Sequence, residues 1–374
     1  MTRATTTKAT TTTATTPSAV PSSPDDEGGR CVGGTTGTVA TTGGAGDDGP
    51  DAEARPGAAI PVAGEGSVTV AVLTYRRPED LTAVLPQLLE QLPDALAEVL
   101  VVDNDPDASG RPTVLAVRDA RVRYVHEPVP GIAAARNRAL AESSADVLVF
   151  IDDDERPSPG WLDALLRVHA AEGSAAVVGP VVSEYEVEPE PWIRDGGFFE
   201  RRRPPTGAVV EAAATNNLLL DMRVVRRLAL TFDERFGLTG GSDTLFTRRL
   251  TRAGERIVWC AEAPVVDVVP RHRLTRRWVL QKALRSGNSW SRTSLELADG
   301  LLERSGERLR LALRGAVRIG GGAARLALGA VTRDRAHRAR GARTLARGLG
   351  LASGAFGYVY VEYRRPAARA TTSS

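Results

Sequence analysis

The sequence predicts an α/β protein with a mixed, mostly parallel sheet flanked by helices, and three observations lead to this prediction. Apolar segments rich in β-branched residues alternate with segments of helical spacing. Three predicted strands end in polar or acidic residues, and the two ends of the chain differ in composition from its middle. We therefore expect a disordered tail at residues 1–66, an α/β domain at 67–270, a basic helical region at 271–365 and a disordered tail at 366–374.

Residues 1–66 consist mainly of Thr, Ala, Gly, Pro, Ser and Asp, with scarcely any large apolar side chain. Such a segment cannot bury enough surface to offset the entropy lost on ordering. Its first residues lack the apolar core of a secretory signal. No run of 18 uncharged apolar residues occurs in the chain, so we expect no membrane-spanning helix.

The ordered region begins with alternating strands and helices joined by short links, which favour parallel strands connected by right-handed crossovers. The predicted strands of this half are 68–74, 98–102, 122–125 and 146–151, and the predicted helices are one from Pro78, 131–143 and 159–171. The second half is less regular. Its predicted strands are 175–183, 212–220, 256–260 and 265–269, with a helix at 244–253 and a mobile loop at 192–205.

Four consecutive carboxylates, Asp152, Asp153, Asp154 and Glu155, follow the apolar segment 147–151. Like charges this close raise one another's pKa unless a cation compensates them. Mg²⁺ or Mn²⁺, shared with ligand phosphates, supplies such compensation at the carboxyl ends of strands. From these residues alone, the cluster is either a metal site or a solvated acidic turn that caps the next helix.

Other functional motifs are absent from the sequence. It has no GxGxxG after the first strand, no GxxxxGK[ST], no HExxH and no GxSxG. Its four histidines have no metal-ligand spacing, and Cys31 and Cys260 imply no disulfide framework, so a reducing compartment is expected. These absences argue against dinucleotide-binding, P-loop, zinc-protease and serine-hydrolase chemistry.

Five stretches in order resemble family 2 glycosyltransferases with the GT-A fold, over roughly residues 67–290. The segment 71–78 looks like the family's first strand and nucleotide loop, and Val101–Asp105 like its second strand. The segment 130–137 is similar to its GxxxARN helix, Phe150–Asp154 to its DxD site, and 240–250 to its acceptor-side helix. The resemblance points to bacterial exopolysaccharide enzymes of the succinoglycan type.

The resemblance implies an inverting, metal-dependent enzyme that moves a sugar from a nucleotide-diphospho-sugar to an acceptor hydroxyl, in surface polysaccharide or glycoconjugate synthesis. Mg²⁺ or Mn²⁺ would neutralise the leaving diphosphate. Two alternatives stay open: a sugar-phosphate nucleotidyltransferase, and an inactive membrane-surface adaptor with the same fold. No nucleic-acid partner is expected, because the basic tail has few aromatic residues for stacking bases.

The resemblance also implies roles for individual residues. Asp154, with Asp152, would hold the metal, and Asp243 would be the general base that deprotonates the acceptor. Residues expected to line the nucleotide-sugar pocket are Thr74, Tyr75, Arg76, Asp103, Asp105, Arg136, Asp152 and Asp153, with Asp103 on the nucleobase. Residues expected to face the donor sugar or the acceptor are Asn217, Gly241 and Ser242. Glu155 is expected only to begin the next turn.

Ser242 stands where the family often has Glu, which leaves the acceptor class open.

The end of the chain is strongly basic, because 22 of the 48 Lys and Arg residues but only 6 of the 46 Asp and Glu residues follow residue 270. Leu and Arg alternate through residues 304–347 in a pattern typical of basic amphipathic helices. These helices would either lie on an anionic membrane or pack on the catalytic domain. We expect a cytoplasmic protein that is peripheral at the inner membrane face, where a lipid-linked acceptor is found. Gly320–Gly322 argue against one unbroken helix.

Overall fold

β1 (Val68–Thr74) lies inside the parallel half of the main sheet, and all of its residues are buried. In a computed structural model that describes residues 66–93 and 97–360, β1 pairs in parallel with β2 (Ala97–Asp103) and β4 (Val147–Asp152). β2 pairs in parallel with β3 (Val122–His126). Continuous apolar runs suit these strands because helices cover both faces of the sheet.

The predicted tails at 1–66 and 366–374 lie outside the described residues, apart from Gly66.

Helices from the first half of the chain pack on both faces of this sheet. These helices are α1 (Pro78–Leu89), α2 (Arg111–Val117), α3 (Ile132–Glu142) and α4 (Trp161–Glu172). α1 starts at Pro78, whose fixed φ suits a first helical turn, and its Leu81, Leu85 and Leu88 are buried with α4 on one face. α3 packs on the other face through alanines that allow close approach.

Antiparallel pairing completes the sheet, because β9 (Asn217–Asp221) lies between β4 and β6 (Ala176–Val178) and runs opposite to both. β10 (Ile257–Trp259) and β8 (Val209–Val210) follow at the edge. The strand order of the described main sheet is β3-β2-β1-β4-β9-β6-β10-β8. The mixed, mostly parallel sheet predicted from the sequence is therefore confirmed.

The single strand predicted at 175–183 is in fact two strands in different sheets. After β6, the chain continues as β7 (Val181–Tyr185) in a small second sheet with β5 (Glu155–Pro157) and β11 (Val265–Val269). Gly179 marks the break. A Cβ atom there would lie 2.3 Å from the Ala263 carbonyl oxygen and 2.4 Å from Asn217 Nδ2, so only glycine fits.

The segment 192–205 is more ordered than the predicted mobile loop. It begins within α5 (Pro191–Asp195), and Ile193, Phe198 and Phe199 are buried together. The loop prediction was therefore wrong for residues 192–199, which the two phenylalanines anchor, whereas residues 200–205 have no helix or strand and are mostly exposed.

Two further helices close the α/β part of the chain, α6 (Met222–Arg227) and α7 (Ser242–Arg252). A 3₁₀ turn at Arg271–Arg273 leads into three long helices, α8 (Arg276–Leu297), α9 (Gly300–Val331) and α10 (Arg335–Ala355). α10 packs against α8 and α9, and Arg343 of α10 donates a 2.8 Å hydrogen bond to the Gly197 carbonyl after α5. Whether a domain boundary falls at residue 270 stays a prediction.

α9 runs through Gly320–Gly322 without a break, which corrects the prediction from those glycines. Glycines at the seven-residue spacing Gly315, Gly322 and Gly329 lie against the backbone of α10. The close contact that they permit offsets the low helical propensity of glycine. Across the described part of the chain, no helix combines the length and apolar character needed to cross a bilayer.

Candidate active site

The site forms where the carboxyl ends of three parallel strands meet. The register aligns Thr74 of β1 with Asp103 of β2, and Leu73 of β1 with Asp152 of β4. The polar residues that the sequence places after separate strands therefore lie at one edge of the sheet. Ligands of open α/β sheets bind at this edge.

Asp153 is the buried centre of the acidic cluster. Thr74 Oγ1 donates to its Oδ2 at 2.8 Å, and Arg77 donates to its Oδ1 at 2.9 Å. Burial raises the pKa of Asp153 to about 6, although the Arg77 charge and the Thr74 hydrogen bond favour the carboxylate. Asp153 thus connects the end of β4 to the loop after β1.

Asp154 is partly exposed and is faced by two arginines. Arg77 lies 2.7 Å from its Oδ2, and Arg273 approaches the same oxygen at 3.8 Å. Neither arginine was predicted from the sequence to have a role in the site. Arg77 was identifiable from its place in the nucleotide loop, whereas Arg273, more than a hundred residues after Asp154, had no local signal.

Asp152 has an unusual protonation equilibrium. Burial, followed by the charge of Asp154, raises the pKa of Asp152 to about 7, and the Arg136 guanidinium only partly opposes this effect. A divalent cation at the cluster would favour the ionised form. The carboxylates at this sheet edge are therefore poised to bind positive charge.

Glu155 is not the simple turn residue that we expected. It begins β5, is only 2% exposed, and accepts a 2.6 Å hydrogen bond from Asn216 Nδ2 on Oε1. Its Oε2 is buried and has no hydrogen-bond partner among the described residues. Burial and the nearby charge of Asp152 raise the pKa of Glu155 well above its usual value.

Asp103, the last residue of β2, holds the loop that follows this strand. Its carboxylate accepts hydrogen bonds from the Gly110 backbone at 2.7 Å, the Asp105 backbone at 3.0 Å and the Tyr124 hydroxyl at 3.1 Å. Because Asp103 has no exposed surface, the structure does not support its predicted direct contact with a nucleobase. It instead fixes the loop that carries Asp105.

Asp105 and Arg76 form an ion pair at the rim of the site, with 3.0 Å between Arg76 Nε and Asp105 Oδ1. Burial favours the neutral form of Asp105, but the nearby Ser109 hydroxyl and the hydrogen bond from Arg76 together hold its pKa below the usual value. The Arg76 guanidinium also lies 5.3 Å from the ring centre of Tyr75. The three residues predicted to line a nucleotide pocket here therefore lie together.

Arg136 joins the acidic cluster to α7. Its Nη1 donates a 2.8 Å hydrogen bond to Ser242 Oγ, and its charge acts on Asp152. Asp243 follows Ser242 in the first turn of α7, is partly exposed, and accepts a 2.7 Å hydrogen bond from the Thr244 backbone. Gly241 precedes the helix with φ +97°, a backbone conformation that favours glycine. Residues 241–243 thus connect to the acidic cluster through Arg136.

Asn217 does not face a ligand, which corrects its predicted role. The side chain is fully buried, accepts from Trp161 Nε1 at 2.9 Å, and donates to the carbonyls of Pro180 and Ala263. An amide with these partners has no exposed atom to offer. Its neighbour Asn216 instead reaches the site through Glu155.

The donor set suits Mg²⁺ or Mn²⁺ only in part. No three His, Cys, Asp or Glu side chains within residues 66–93 and 97–360 are arranged as a complete metal site. The carboxylates of Asp152 and Asp154 are nevertheless hard oxygen donors, and both are partly exposed. Mg²⁺ typically binds one or two carboxylates and takes its remaining ligands from phosphates and water, so these two residues fit a shared site.

These features define a mixed α/β fold with an acidic cluster at the carboxyl ends of its parallel strands. A family model described as "Glycosyl transferase family 2" matches residues 69–230. The succinoglycan biosynthesis protein ExoM of Rhizobium meliloti (strain 1021) is 34% identical over 238 residues, which span 63% of this chain and 77% of that protein. The chain belongs to glycosyl transferase family 2 and is a glycosyltransferase.

Other similar proteins are more distant. The glucosyl-dolichyl phosphate glucuronosyltransferase of Haloferax volcanii is 28% identical over 237 residues, which cover 59% of this chain and 75% of that one. A crystal structure of S. aureus TarS 1–349 aligns with a TM-score of 0.45 at 16% identity, over 75% of this chain and 90% of that chain. The family membership confirms the resemblance seen in the sequence. No observation supports the two alternatives, a sugar-phosphate nucleotidyltransferase and an inactive membrane-surface adaptor.

Proposed function

We propose that the protein is an inverting, metal-dependent glycosyltransferase that uses a nucleotide-diphospho-sugar and acts in polysaccharide or glycoconjugate synthesis. One observation carries this proposal: Arg136 contacts Ser242 and acts on Asp152, so that α7 with Asp243 lies near the acidic cluster. A single displacement at a sugar carbon requires a site for the leaving group and a general base at a fixed distance from each other. Here the two lie on separate elements that Arg136 connects. The similarity to a succinoglycan biosynthesis protein supports the product class.

In this mechanism the acceptor hydroxyl attacks the anomeric carbon of the donor sugar while Asp243 accepts the hydroxyl proton. The new glycosidic bond forms as the bond to the diphosphate breaks, and the electron pair leaves with the nucleoside diphosphate. Mg²⁺ or Mn²⁺, held by Asp154 and Asp152, would supply positive charge to that leaving group. Arg76 and Asp105 would orient the nucleotide, and Thr74 would hold Asp153 in position.

Donor turnover in the presence of Mn²⁺ tests this proposal. A thermal-shift screen of UDP-, GDP- and dTDP-sugars first identifies a donor, since a ligand that binds only the folded state raises its stability. Asp154→Ala and Asp243→Asn should each abolish transfer, and Asp243→Asn should still bind the donor. Undiminished transfer by both variants would overturn the assignment.

We also propose that α9 attaches the enzyme to an anionic membrane surface at the cytoplasmic face, where a lipid-linked acceptor would be found. One side of α9 is apolar and exposed. The residues of this apolar face are Leu302, Leu309, Leu313, Val317, Leu328 and Val331. Leu302 is 91% exposed and Val317 75%, while Arg310 and Arg314 border the face. Exposed leucines beside arginines match a helix that lies in the membrane interface.

Co-sedimentation with liposomes tests the membrane proposal. The wild type should bind anionic vesicles at low salt, and a Leu313→Ser, Val317→Ser variant should bind less. Leu115→Ser is the control, because Leu115 is 64% exposed on α2, outside the C-terminal region. Equal recovery with neutral and anionic vesicles would remove the electrostatic part of the proposal, and equal binding of all variants would remove the role of α9.

A further inference from the structure

One face of α7, the helix that carries Asp243, packs along α8. A Cβ atom on Gly241, just before α7, would lie 3.3 Å from Ser289 Cβ and 3.4 Å from Thr293 Cγ2 of α8. Arg248 follows Gly241 by seven residues, or about two helical turns, so it lies on the same face of the helix. The C-terminal helices therefore touch the element that carries the proposed base.

Arg248 makes directed contacts across this packing. Its Nη1 donates a 2.8 Å hydrogen bond to Ser294 Oγ of α8, and its guanidinium carbon lies 4.6 Å from the ring centre of Trp290. On the other side, its Nε lies 3.3 Å from Glu211 Oε1, in the segment before β9. Because the guanidinium is planar and rigid, contacts in several directions fix its orientation. Arg248 thus joins α7 to α8 in one geometry.

Trp290 connects Arg248 to the interior of the C-terminal helices. Its ring packs against a small apolar core to which all three of these helices contribute. The residues of this core are Leu295 of α8, Leu311 of α9, and Leu351 and Ala355 of α10. A displacement of α7 relative to α8 would therefore disturb a packed core, and packed cores resist deformation.

Burial makes Arg248 costly to hold in this position. Its side chain is only 12% exposed. Burial lowers the pKa of Arg248 below its usual value, and the charges of Glu211 and Glu307 only partly oppose this effect. An apolar side chain of similar size in such a place is often as stable as a buried ion pair, or more so. The physical gain from an arginine here is therefore a directed contact rather than extra stability.

α7 is held near both of its ends. Ser242 at its start accepts the hydrogen bond from Arg136 of α3, and Arg248 near its end contacts α8. These two points lie about 9 Å apart along the helix axis. Between them, Phe246 packs on the side of the main sheet. Contacts at two separated points restrict both the tilt of a helix and its rotation, and with them the position of Asp243.

We infer that Arg248 is a positioning residue for sugar transfer, because its contacts with Ser294 and Trp290 hold Asp243 in place relative to the acidic cluster. This inference rests on the proposed function, in which Asp243 is the general base. A catalytic group that moves by about 1 Å can slow a reaction by roughly a hundredfold. The C-terminal helices are then part of the catalytic unit, in addition to any contact that they make with a membrane.

Turnover at saturating donor and Mn²⁺, with the donor identified above, tests this inference. Arg248→Met and Trp290→Leu should each lower the turnover rate by roughly tenfold or more. Donor affinity, measured by calorimetry, should stay at the wild-type value because the acidic cluster is intact. Arg248→Lys should have an intermediate rate, since a lysine can reach the Trp290 ring but lacks the planar fork.

Arg252→Gln is the matched control, and its turnover rate should equal that of the wild type. Arg252 is an arginine of the same helix, but its side chain is 44% exposed and pairs with Asp299, which is 84% exposed. A surface ion pair of this kind contributes little to structure. A lower rate for Arg252→Gln, equal to that of Arg248→Met, would overturn the inference, because any loss of charge on α7 would then suffice.

Stability and positioning are separated by measuring each rate well below the thermal unfolding transition of that variant. A residue that only stabilises the fold would change the transition but not the rate per folded molecule. A wild-type rate in folded Arg248→Met, or an equal loss of donor affinity and rate, would overturn the positioning role. Ser294→Ala removes only the hydrogen-bond acceptor and carries the same test if Arg248→Met does not fold. The proposed function fails by a different result, namely undiminished turnover by Asp243→Asn.

Discussion

Arg136 Nη1 donates a 2.8 Å hydrogen bond to Ser242 Oγ across a sequence separation of 106. Both side chains are buried, and the Phe232 ring lies 5.5 Å from the guanidinium carbon. The contact joins the helix after β3 to the helix that carries Asp243. The buried arginine and its serine partner therefore help to set the relative position of the acidic cluster and the proposed base, together with the packing of Phe232 on Phe246.

Ser242→Ala should destabilise the protein by about 1–3 kcal/mol, because it removes the acceptor of a buried charged donor. Arg136 Nε already has no hydrogen-bond partner among the described residues, so the buried guanidinium would lose a further hydrogen bond when Ser242 Oγ is removed. Urea denaturation measures the change. Ser286→Ala serves as control, since Ser286 is exposed on α8, and its free energy of unfolding should change little. Equal effects would show that the contact does not stabilise the fold.

Arg77→Gln should tighten the binding of Mn²⁺ in the absence of nucleotide. Arg77 lies 2.7 Å from Asp154 and 2.9 Å from Asp153, so it occupies one of the two carboxylates proposed to hold the metal. Both side chains of the Arg77–Asp154 pair are partly exposed, and we expect a modest gain of roughly fivefold, equivalent to about 1 kcal/mol. Electron paramagnetic resonance of free Mn²⁺ measures the affinity directly.

The adjacent Arg76→Gln is the control for that titration, because Arg76 pairs with Asp105 and Asp107 instead. Its Mn²⁺ affinity should equal that of the wild type. Weaker binding by Arg77→Gln would mean that Arg77 helps to assemble the metal site.

The raised pKa of Asp152 gives the free energy of unfolding a defined pH dependence. Its pKa rises from 3.8 to about 7 on folding, chiefly through burial. The unfolded chain then releases this proton at lower pH than the folded chain, so the contribution of Asp152 to stability falls as pH rises from about 4 to about 7. Asp152→Asn should remove this fall. Denaturation in EDTA at several pH values measures it, and parallel pH profiles for the two proteins would contradict the assignment.

Much of the strand pattern and the location of the site could be predicted from the sequence, because both depend on local composition. Apolar runs that end in Thr74, Asp103 and Asp152 predict parallel strands with their polar ends together, and the register places them so. The structure buries Asp153 against Thr74, and its predicted contact with the ribose stays a prediction.

Features that depend on distant contacts could not be predicted. Asn216 and Asn217 are adjacent and chemically identical, yet Asn216, in the turn before β9, contacts Glu155, whereas Asn217, the first residue of β9, lies in the core against Trp161. The burial of Glu155 follows from β5 pairing with β11, a strand more than a hundred residues later. No local sequence pattern predicts such pairings between distant strands.

Alanine substitutions at Gly322 and Gly321 should change the stability of the protein in opposite directions, and so they test how α9 packs on α10. A Cβ atom on Gly322 would lie 2.6 Å from the Leu345 backbone nitrogen and 2.8 Å from the Gly341 carbonyl oxygen, whereas Gly321 has open space around it. Gly322→Ala should therefore destabilise the protein by about 1–3 kcal/mol, because rigid backbone must move. Gly321→Ala should stabilise it by about 0.5–1 kcal/mol through helical propensity. Thermal unfolding of the two variants measures both changes. If both variants were destabilised, α9 would not pack on α10 in this register. Gly321 has open space around it here, so its change to alanine should not be costly.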